Sequence, residues 1–214
     1  MKEKKMNESP ERGKFIVFEG IDGAGKTTQI NLLTERMRRE GKAVFATAEP
    51  TATETGKMLR AALGGKIRMT PCELAALFVA DRIRHKTDPE EGIEAKLRAG
   101  IDVVSDRYYY STMAYQGSET DPGWVREMNL SCPEIRRPDL CIFLDLTPEQ
   151  SMERIRAGRD SVEIYENTET LAAVRARFYR VIDELRTEEN IKVVNAGRPI
   201  EEIAEEIFGL VSAL

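Results

Sequence analysis

Short apolar runs alternate along the chain with longer stretches whose apolar residues recur at helical spacing. Runs rich in β-branched and aromatic residues predict five buried strands, at Lys14–Glu19, Ala43–Thr47, Ile101–Ser105, Leu140–Leu144 and Ile191–Val194. Helical spacing predicts helices over Thr27–Glu40, Pro71–Arg84, Ile93–Ala99, Pro148–Arg156, Thr170–Arg186 and Pro199–Phe208. Strands separated by helices form βαβ units, and right-handed crossovers then give a mainly parallel sheet with helices on both faces. The predicted fold class is α/β.

The composition fits one globular domain. Of 214 residues, 41% are hydrophobic and 32% are charged, and no internal repeat interrupts the chain. No apolar run approaches the roughly 18 residues of a membrane span. Residues 1–13 are charged and lack the apolar centre of a signal peptide, so they are predicted to be a flexible tail before a domain at 14–214. A cytoplasmic location is expected.

Charge and residue usage restrict the possible chemistry. The formal net charge is −5, which does not favour binding to nucleic acid, so an anionic ligand needs a local basic cluster. Three cysteines without a CxxC pattern argue against a disulfide scaffold and a cysteine zinc site. A single histidine, His85, argues against a histidine-based triad or metal site.

The strongest motif lies between the first predicted strand and the first predicted helix. Gly20–Thr27 (GIDGAGKT) matches GxxxxGK[ST], in which backbone N–H groups surround phosphates. Lys26 would reach the β- and γ-phosphates, and the Thr27 hydroxyl would ligate Mg²⁺. The alternative is a glycine-rich turn that caps an ordinary helix. The predicted nucleotide-binding residues are Gly20, Ile21, Asp22, Gly23, Ala24, Gly25, Lys26, Thr27 and Thr28.

Two polar clusters follow other predicted strands. Asp106 and Arg107 come directly after Ile101–Ser105. Asp106 could hold Mg²⁺ through water or anchor Arg107, and Arg107 could clamp a phosphate or form an ordinary salt bridge. Glu49 and Pro50 follow the second strand and form either a ligand contact or a simple turn.

Two further segments have an open interpretation. Phe78 and Arg82 are one helical turn apart, so they could offer an aromatic ring and a guanidinium to a base, although Phe78 alone could equally be core. Asp81 interrupts the apolar stripe, which suggests that this face opens to solvent or to a site. The arginine-bearing stretch Glu153–Glu163 is either a lid that excludes water or a solvated loop.

These residues together resemble the thymidylate kinase (dTMP kinase) family. The resemblance extends from Lys14 to the C-terminus and is carried by FEGIDGAGKTTQ, EPT, LFVADR, SDRYYYSTMAYQG and RPDLCIFLD. It implies a three-layer P-loop kinase fold with a five-stranded parallel sheet, the use of ATP and Mg²⁺, dTMP as acceptor, and a homodimer.

The resemblance also implies roles for individual residues. Asp22 would approach the acceptor's sugar, Phe78 would stack on thymine, and Tyr115 would disfavour a ribose hydroxyl. The implied substrate-binding residues are Glu49, Pro50, Phe78, Arg82, Arg107, Ser111, Thr112, Tyr115 and Gln116. The implied catalytic residues are Asp22, Lys26, Arg107, Arg156 and Arg159, and the implied metal-binding residues are Thr27 and Asp106. The segment at about 154–164 would be the lid.

The chain departs from the family pattern at two places. Ala48 precedes Glu49 where many members have an arginine, so any phosphate contact of that arginine is absent or comes from elsewhere. The glycine-rich loop also lacks the arginine of one subgroup, which places more weight on Arg156 and Arg159.

The expected reaction is phosphoryl transfer from MgATP to dTMP, which gives dTDP in the synthesis of dTTP. Two alternatives are a kinase for another nucleoside or nucleotide and a P-loop regulatory ATPase. The acceptor phosphate is largely dianionic near pH 7 and acts as its own nucleophile, so no catalytic base is needed.

Overall fold

Five apolar segments form one parallel sheet in the computed structural model, which describes residues 11–158 and 167–214. The strands are β1 (Phe15–Glu19), β2 (Val44–Ala48), β3 (Asp102–Asp106), β4 (Leu140–Asp145) and β5 (Ile191–Asn195). Their order in the sheet is β2-β3-β1-β4-β5. The central strand β1 is completely buried because both faces of the sheet are covered. All five predicted strands are confirmed, with bounds within one residue.

The helices that connect the strands give the fold its layers. They are α1 (Lys26–Arg39), α2 (Glu54–Leu63), α3 (Pro71–Thr87), α4 (Ile93–Arg98), α5 (Tyr109–Tyr115), α6 (Pro122–Leu130), α7 (Pro148–Gly158), α8 (Thr168–Leu185) and α9 (Ile200–Ser212). A short 3₁₀ helix covers Gln116–Ser118. The six predicted helices are confirmed, whereas α2, α5 and α6 were not predicted.

The sheet order places the functional loop. The chain leaves β1 toward β2 on one side of the sheet, and later crosses from β3 to β4 on the other. Right-handed crossovers in opposite directions put their helices on opposite faces, which confirms the three-layer α/β fold. The strand order reverses next to β1, and ligands of such sheets bind at the carboxyl ends of the strands at this point.

The helix α3 has one polar residue in its buried face. Asp81 is 1% exposed, and its carboxylate accepts hydrogen bonds from the Thr51 backbone N–H (2.8 Å) and from the hydroxyls of Thr51 (2.6 Å), Thr53 (3.1 Å) and Thr55 (2.7 Å). The expectation that this face opens to solvent is therefore wrong. Three threonines satisfy the carboxylate, and the contact ties the loop after β2 to α3.

Candidate active site

The glycine-rich loop between β1 and α1 has a backbone that other residues adopt poorly. Gly20 and Gly23 have φ values of 143° and 77°. A Cβ on Gly20 would lie 2.7 Å from the Leu144 carbonyl oxygen, and one on Gly23 would lie 2.8 Å from the Ser151 carbonyl oxygen. Only glycine fits at these two positions. The loop ends at α1, whose first N–H groups receive no side-chain cap and remain available for an anion.

Lys26 crosses this loop. Its Nζ donates to the carbonyl oxygens of Gly20 (3.0 Å) and Ile21 (3.2 Å), and the residue is buried. Burial, together with the nearby Arg107 charge, lowers the pKa of the Lys26 ammonium below its usual value. The loop therefore holds the cation in place, at the position where the motif requires it.

Thr27 and Asp106 meet beside the loop. The Thr27 hydroxyl donates to Asp106 Oδ2 at 3.3 Å, although the two residues belong to α1 and the end of β3. The other oxygen, Asp106 Oδ1, is buried without a hydrogen-bond partner in residues 11–158 and 167–214. An acceptor left unsatisfied next to a hydroxyl fits a water-bound Mg²⁺, since that ion prefers oxygen ligands and keeps several waters.

Two cavities open at the carboxyl ends of the strands. The first has a volume of about 760 Å³ and is formed by Asp22–Gln29, the end of β2 and the start of α9. The second has a volume of about 400 Å³ and is formed by α2, α3, α5 and the loop after β2. Both volumes fall within the range of small-molecule sites.

The second cavity collects the predicted acceptor residues. All nine line it, namely Glu49, Pro50, Phe78, Arg82, Arg107, Ser111, Thr112, Tyr115 and Gln116. Phe78 is half-buried, unlike the fully buried residues of the core. The sequence left a core position open for Phe78, and the structure places it in the cavity wall instead.

Five residues line both cavities, and we call this set the seam. They are Asp22, Glu49, Pro50, Arg60 and Arg107. A molecule in the first cavity and one in the second would therefore meet at these residues. Four of the five were predicted from the sequence, and Arg60 was not.

Arg107 links the seam to the glycine-rich loop. Its guanidinium contacts Asp22 Oδ1 at 2.5 Å and donates to the Ser111 hydroxyl at 2.8 Å. Its φ of 72° is unusual for a residue other than glycine and lies at the end of β3. The charge of Asp22 opposes the effect of burial and raises the pKa of Arg107. Both possibilities considered for Arg107 thus meet in one place, because the salt bridge is itself inside the candidate site.

Arg82 is held by the protein on several sides. The residue is 1% exposed. Its Nε and one terminal nitrogen donate to Glu49 Oε2 (2.9 and 2.6 Å), and further bonds reach Thr112 Oγ1 (3.1 Å) and Asn129 Oδ1. The other oxygen of Glu49 contacts His85 Nδ1 at 3.0 Å. Arg82 therefore borders the second cavity but directs most of its donors to Glu49, Thr112 and Asn129.

Glu19 supports the far side of the second cavity. This fully buried carboxylate accepts from the backbone N–H groups of Tyr108 (2.8 Å) and Ser111 (3.2 Å) and from the Ser111 hydroxyl (2.6 Å). Burial raises the pKa of Glu19 to about 7. Glu19 thus caps α5, which has no side-chain cap from its own neighbouring residues.

The predicted lid is only partly described. Arg156 is exposed near the end of α7. Arg159 and most of the stretch after it lie outside the described residues, so the prediction of a lid at about 154–164 stays untested. Residues 1–10 of the predicted tail also lie outside the described part.

Several residues of the cavities were missed by the sequence analysis. Arg154, Ile200 and Ile203 line the first cavity, and Arg154 donates to the Ala196 carbonyl oxygen at 2.9 Å. Ile200 and Ile203 follow β5, so the rule that ligands bind at strand ends could have found them. Arg60 lies on a helix that was not predicted, which removed it from consideration.

Comparison with known proteins gives a consistent result. A family model described as thymidylate kinase matches residues 18–207. A "Probable thymidylate kinase" of Thermococcus gammatolerans is 37% identical over 208 residues, which cover 93% of this chain and 96% of that protein. A "Probable thymidylate kinase" of Methanococcus aeolicus is 39% identical over 202 residues (91% and 94% covered). A "Thymidylate kinase" of Leptospira borgpetersenii is 36% identical over 201 residues (92% and 94% covered). Among the described residues, no helix has the length and apolar character to cross a membrane.

Proposed function

The chain belongs to the thymidylate kinase family, and from this membership we propose that it transfers the γ-phosphoryl group of ATP to dTMP. The products are ADP and dTDP. The observation that carries the proposal is the seam, where a cavity built on the glycine-rich loop meets a second cavity lined by all nine predicted acceptor residues.

ATP is the occupant proposed for the first cavity. Its phosphates would accept hydrogen bonds from the loop amides and from Lys26, which already lies across the loop. The residues that line this cavity but not the second one include Arg154, Ile200 and Ile203. Two isoleucines and a guanidinium offer apolar and cationic contacts to a purine base.

The acceptor proposed for the second cavity is dTMP. Phe78 supplies an aromatic face for stacking on the thymine ring. Tyr115 lies beside Asp22, with its hydroxyl 3.5 Å from Asp22 Oδ2. A ribose 2′-hydroxyl has to fit against this pair, so we propose that these residues favour the deoxyribose.

The reaction needs no catalytic base. An oxygen of the dTMP phosphate forms a bond to the γ-phosphorus of ATP as the bond to the β–γ bridging oxygen breaks, and ADP leaves. The one histidine of the chain, His85, is buried between Glu49 and Thr47 and does not line either cavity. Catalysis therefore consists of alignment and charge stabilisation, for which Lys26, Arg107 and Asp22 are in place.

Thr27 and Asp106 are the residues that would hold Mg²⁺, Thr27 directly and Asp106 through water. When bound, the ion neutralises charge on the nucleotide phosphates. Arg156 and Arg159 are proposed to complete the charge stabilisation from a lid that excludes water. A cytoplasmic location and a homodimer are also proposed, on the family resemblance alone.

An acceptor panel tests the proposed function. Purified protein is mixed with MgATP and each common nucleoside monophosphate, with thymidine, or with no acceptor, and ADP release is measured. We expect turnover with dTMP to exceed that with the other acceptors and with no acceptor. Efficient turnover of another monophosphate with no reaction of dTMP would refute the substrate. Equal ADP release with and without acceptor would instead favour a regulatory ATPase.

A further inference from the structure

Arg60 is the seam residue that the sequence analysis did not identify. It lies on α2, is exposed, and lines both cavities. One terminal nitrogen of its guanidinium donates to the Pro50 carbonyl oxygen at 2.9 Å. This single bond holds the side chain against the seam and leaves most of its five N–H donors for another partner.

Three guanidinium groups line the second cavity, and two of them face a carboxylate. Arg82 is 2.6 Å from Glu49, and Arg107 is 2.5 Å from Asp22. Arg60 makes no ion pair within 4.0 Å in the part of the chain that the structure describes. Each of the other two positive charges is offset by its own partner, whereas that of Arg60 is not. The seam therefore carries a positive charge that suits an anionic ligand.

The position of α2 directs Arg60 toward the acceptor. Leu63 and Gly64, one turn further along, line the second cavity and not the first. Phosphates in the first cavity are already provided for by the loop amides and Lys26. Ala48, which faces the first cavity where a charged residue would also reach the seam, contributes no charge.

A close approach fixes α2 on the seam. A Cβ on Gly56 would lie 1.9 Å from the Thr51 carbonyl oxygen, so the helix packs directly on the backbone that follows Pro50. The hydroxyl of Thr53 accepts from the Gly56 N–H and caps the start of the same helix. Arg60 is therefore presented from a rigid element, which is the arrangement that precise phosphate binding requires.

We infer that Arg60 binds the phosphate of the acceptor nucleotide and holds it at the seam for in-line transfer. The inference rests on the proposed function, because it takes the second cavity to be the acceptor site. It assigns to α2 the phosphate contact that neither Ala48 nor the carboxylate-paired Arg82 and Arg107 readily supplies.

The test compares a ligand that has the phosphate with one that lacks it. Dissociation constants for dTMP and thymidine are measured by calorimetry on the wild type and on Arg60→Ala. We expect Arg60→Ala to weaken dTMP binding about 10- to 100-fold, the effect of losing a hydrogen bond to a charged group. Thymidine binding should change less than about twofold. Arg60→Lys should restore part of the dTMP affinity, since it retains the charge without the planar fork.

The matched control is Lys57→Ala, which removes an exposed cation on the same helix that pairs with Glu54 at 2.6 Å and lines neither cavity. It should leave both dissociation constants unchanged. Equal loss of dTMP and thymidine affinity in Arg60→Ala would overturn the inference, as would unchanged dTMP affinity or a loss confined to ATP. A wild type that binds no dTMP would instead refute the proposed function.

Discussion

Lys26 is the residue whose role is easiest to isolate. Its ammonium is held by two carbonyl oxygens of the glycine-rich loop and lines the first cavity. We expect Lys26→Met, which keeps the aliphatic stem, to lower kcat about 100-fold or more, because removing one charge-stabilising donor has this effect. Steady-state kinetics with MgATP and dTMP provide the measurement. Lys42→Met, at an exposed position outside both cavities, is the control, and turnover of Lys26→Met within about threefold of wild type would contradict the assignment.

Glu19 gives a prediction about pH. Burial raises the pKa of its carboxyl to about 7 in the folded protein, against about 4.3 in an unfolded chain. The folded state therefore holds a proton that the unfolded state releases between these values. The stabilisation from Glu19 is complete below about pH 4, falls as the pH rises through 7, and is then lost, a change of about 3 kcal/mol.

Glu19→Gln removes this titration. The difference in unfolding free energy between Glu19→Gln and wild type should shift in favour of the variant by about 3 kcal/mol between pH 4.5 and 8. Denaturant unfolding at a series of pH values measures it. Other titrating groups cancel because both proteins contain them. A difference that stays constant across this range would show that Glu19 keeps an ordinary pKa.

At the scale of elements, two helical glycines should respond oppositely to the same substitution. A Cβ on Gly56 would collide with the Thr51 backbone, whereas a Cβ on Gly209 in α9 meets nothing within 4 Å. We expect Gly56→Ala to lower the free energy of unfolding by about 2 kcal/mol through overpacking, and Gly209→Ala to raise it by up to about 1 kcal/mol through helix propensity. Chemical unfolding measures both, and shifts of the same sign would show that α2 does not pack on this loop as described.

The element scale also explains what the sequence could predict. Strands and long amphipathic helices were predictable because their apolar spacing is local. The helix α5 was not, because its Tyr109-Tyr110-Ser111-Thr112 start favours extended structure. Its cap comes from Glu19 on β1, which is 89 residues away from Tyr108. Local patterns do not contain such a contact.

The candidate site was predicted to the extent that its residues follow strands or motifs. The glycine-rich loop, Asp106 and Arg107 follow β1 and β3, so their convergence was expected from a parallel sheet. Arg60 was overlooked because α2 is short and has Gly56 inside it. Local signals for α2 were nevertheless present, since Thr53 caps its start and Gly64 follows its end.

At the scale of the whole molecule, the account depends on two nucleotides lying together across the seam. The net charge of −5 does not attract them, so the local cations and loop amides must do so. The seam is the point where these groups are shared by both cavities. A ligand that spans both cavities would gain affinity from each, because its second half binds intramolecularly.

The most direct test uses adenosine and thymidine joined 5′ to 5′ through a chain of five phosphates. Calorimetric titration in the presence of Mg²⁺ measures its affinity and stoichiometry, with ATP and dTMP titrated separately. The account predicts one molecule bound per chain, at least about 100-fold more tightly than either nucleotide. Two molecules bound per chain, or an affinity no higher than that of ATP alone, would contradict it.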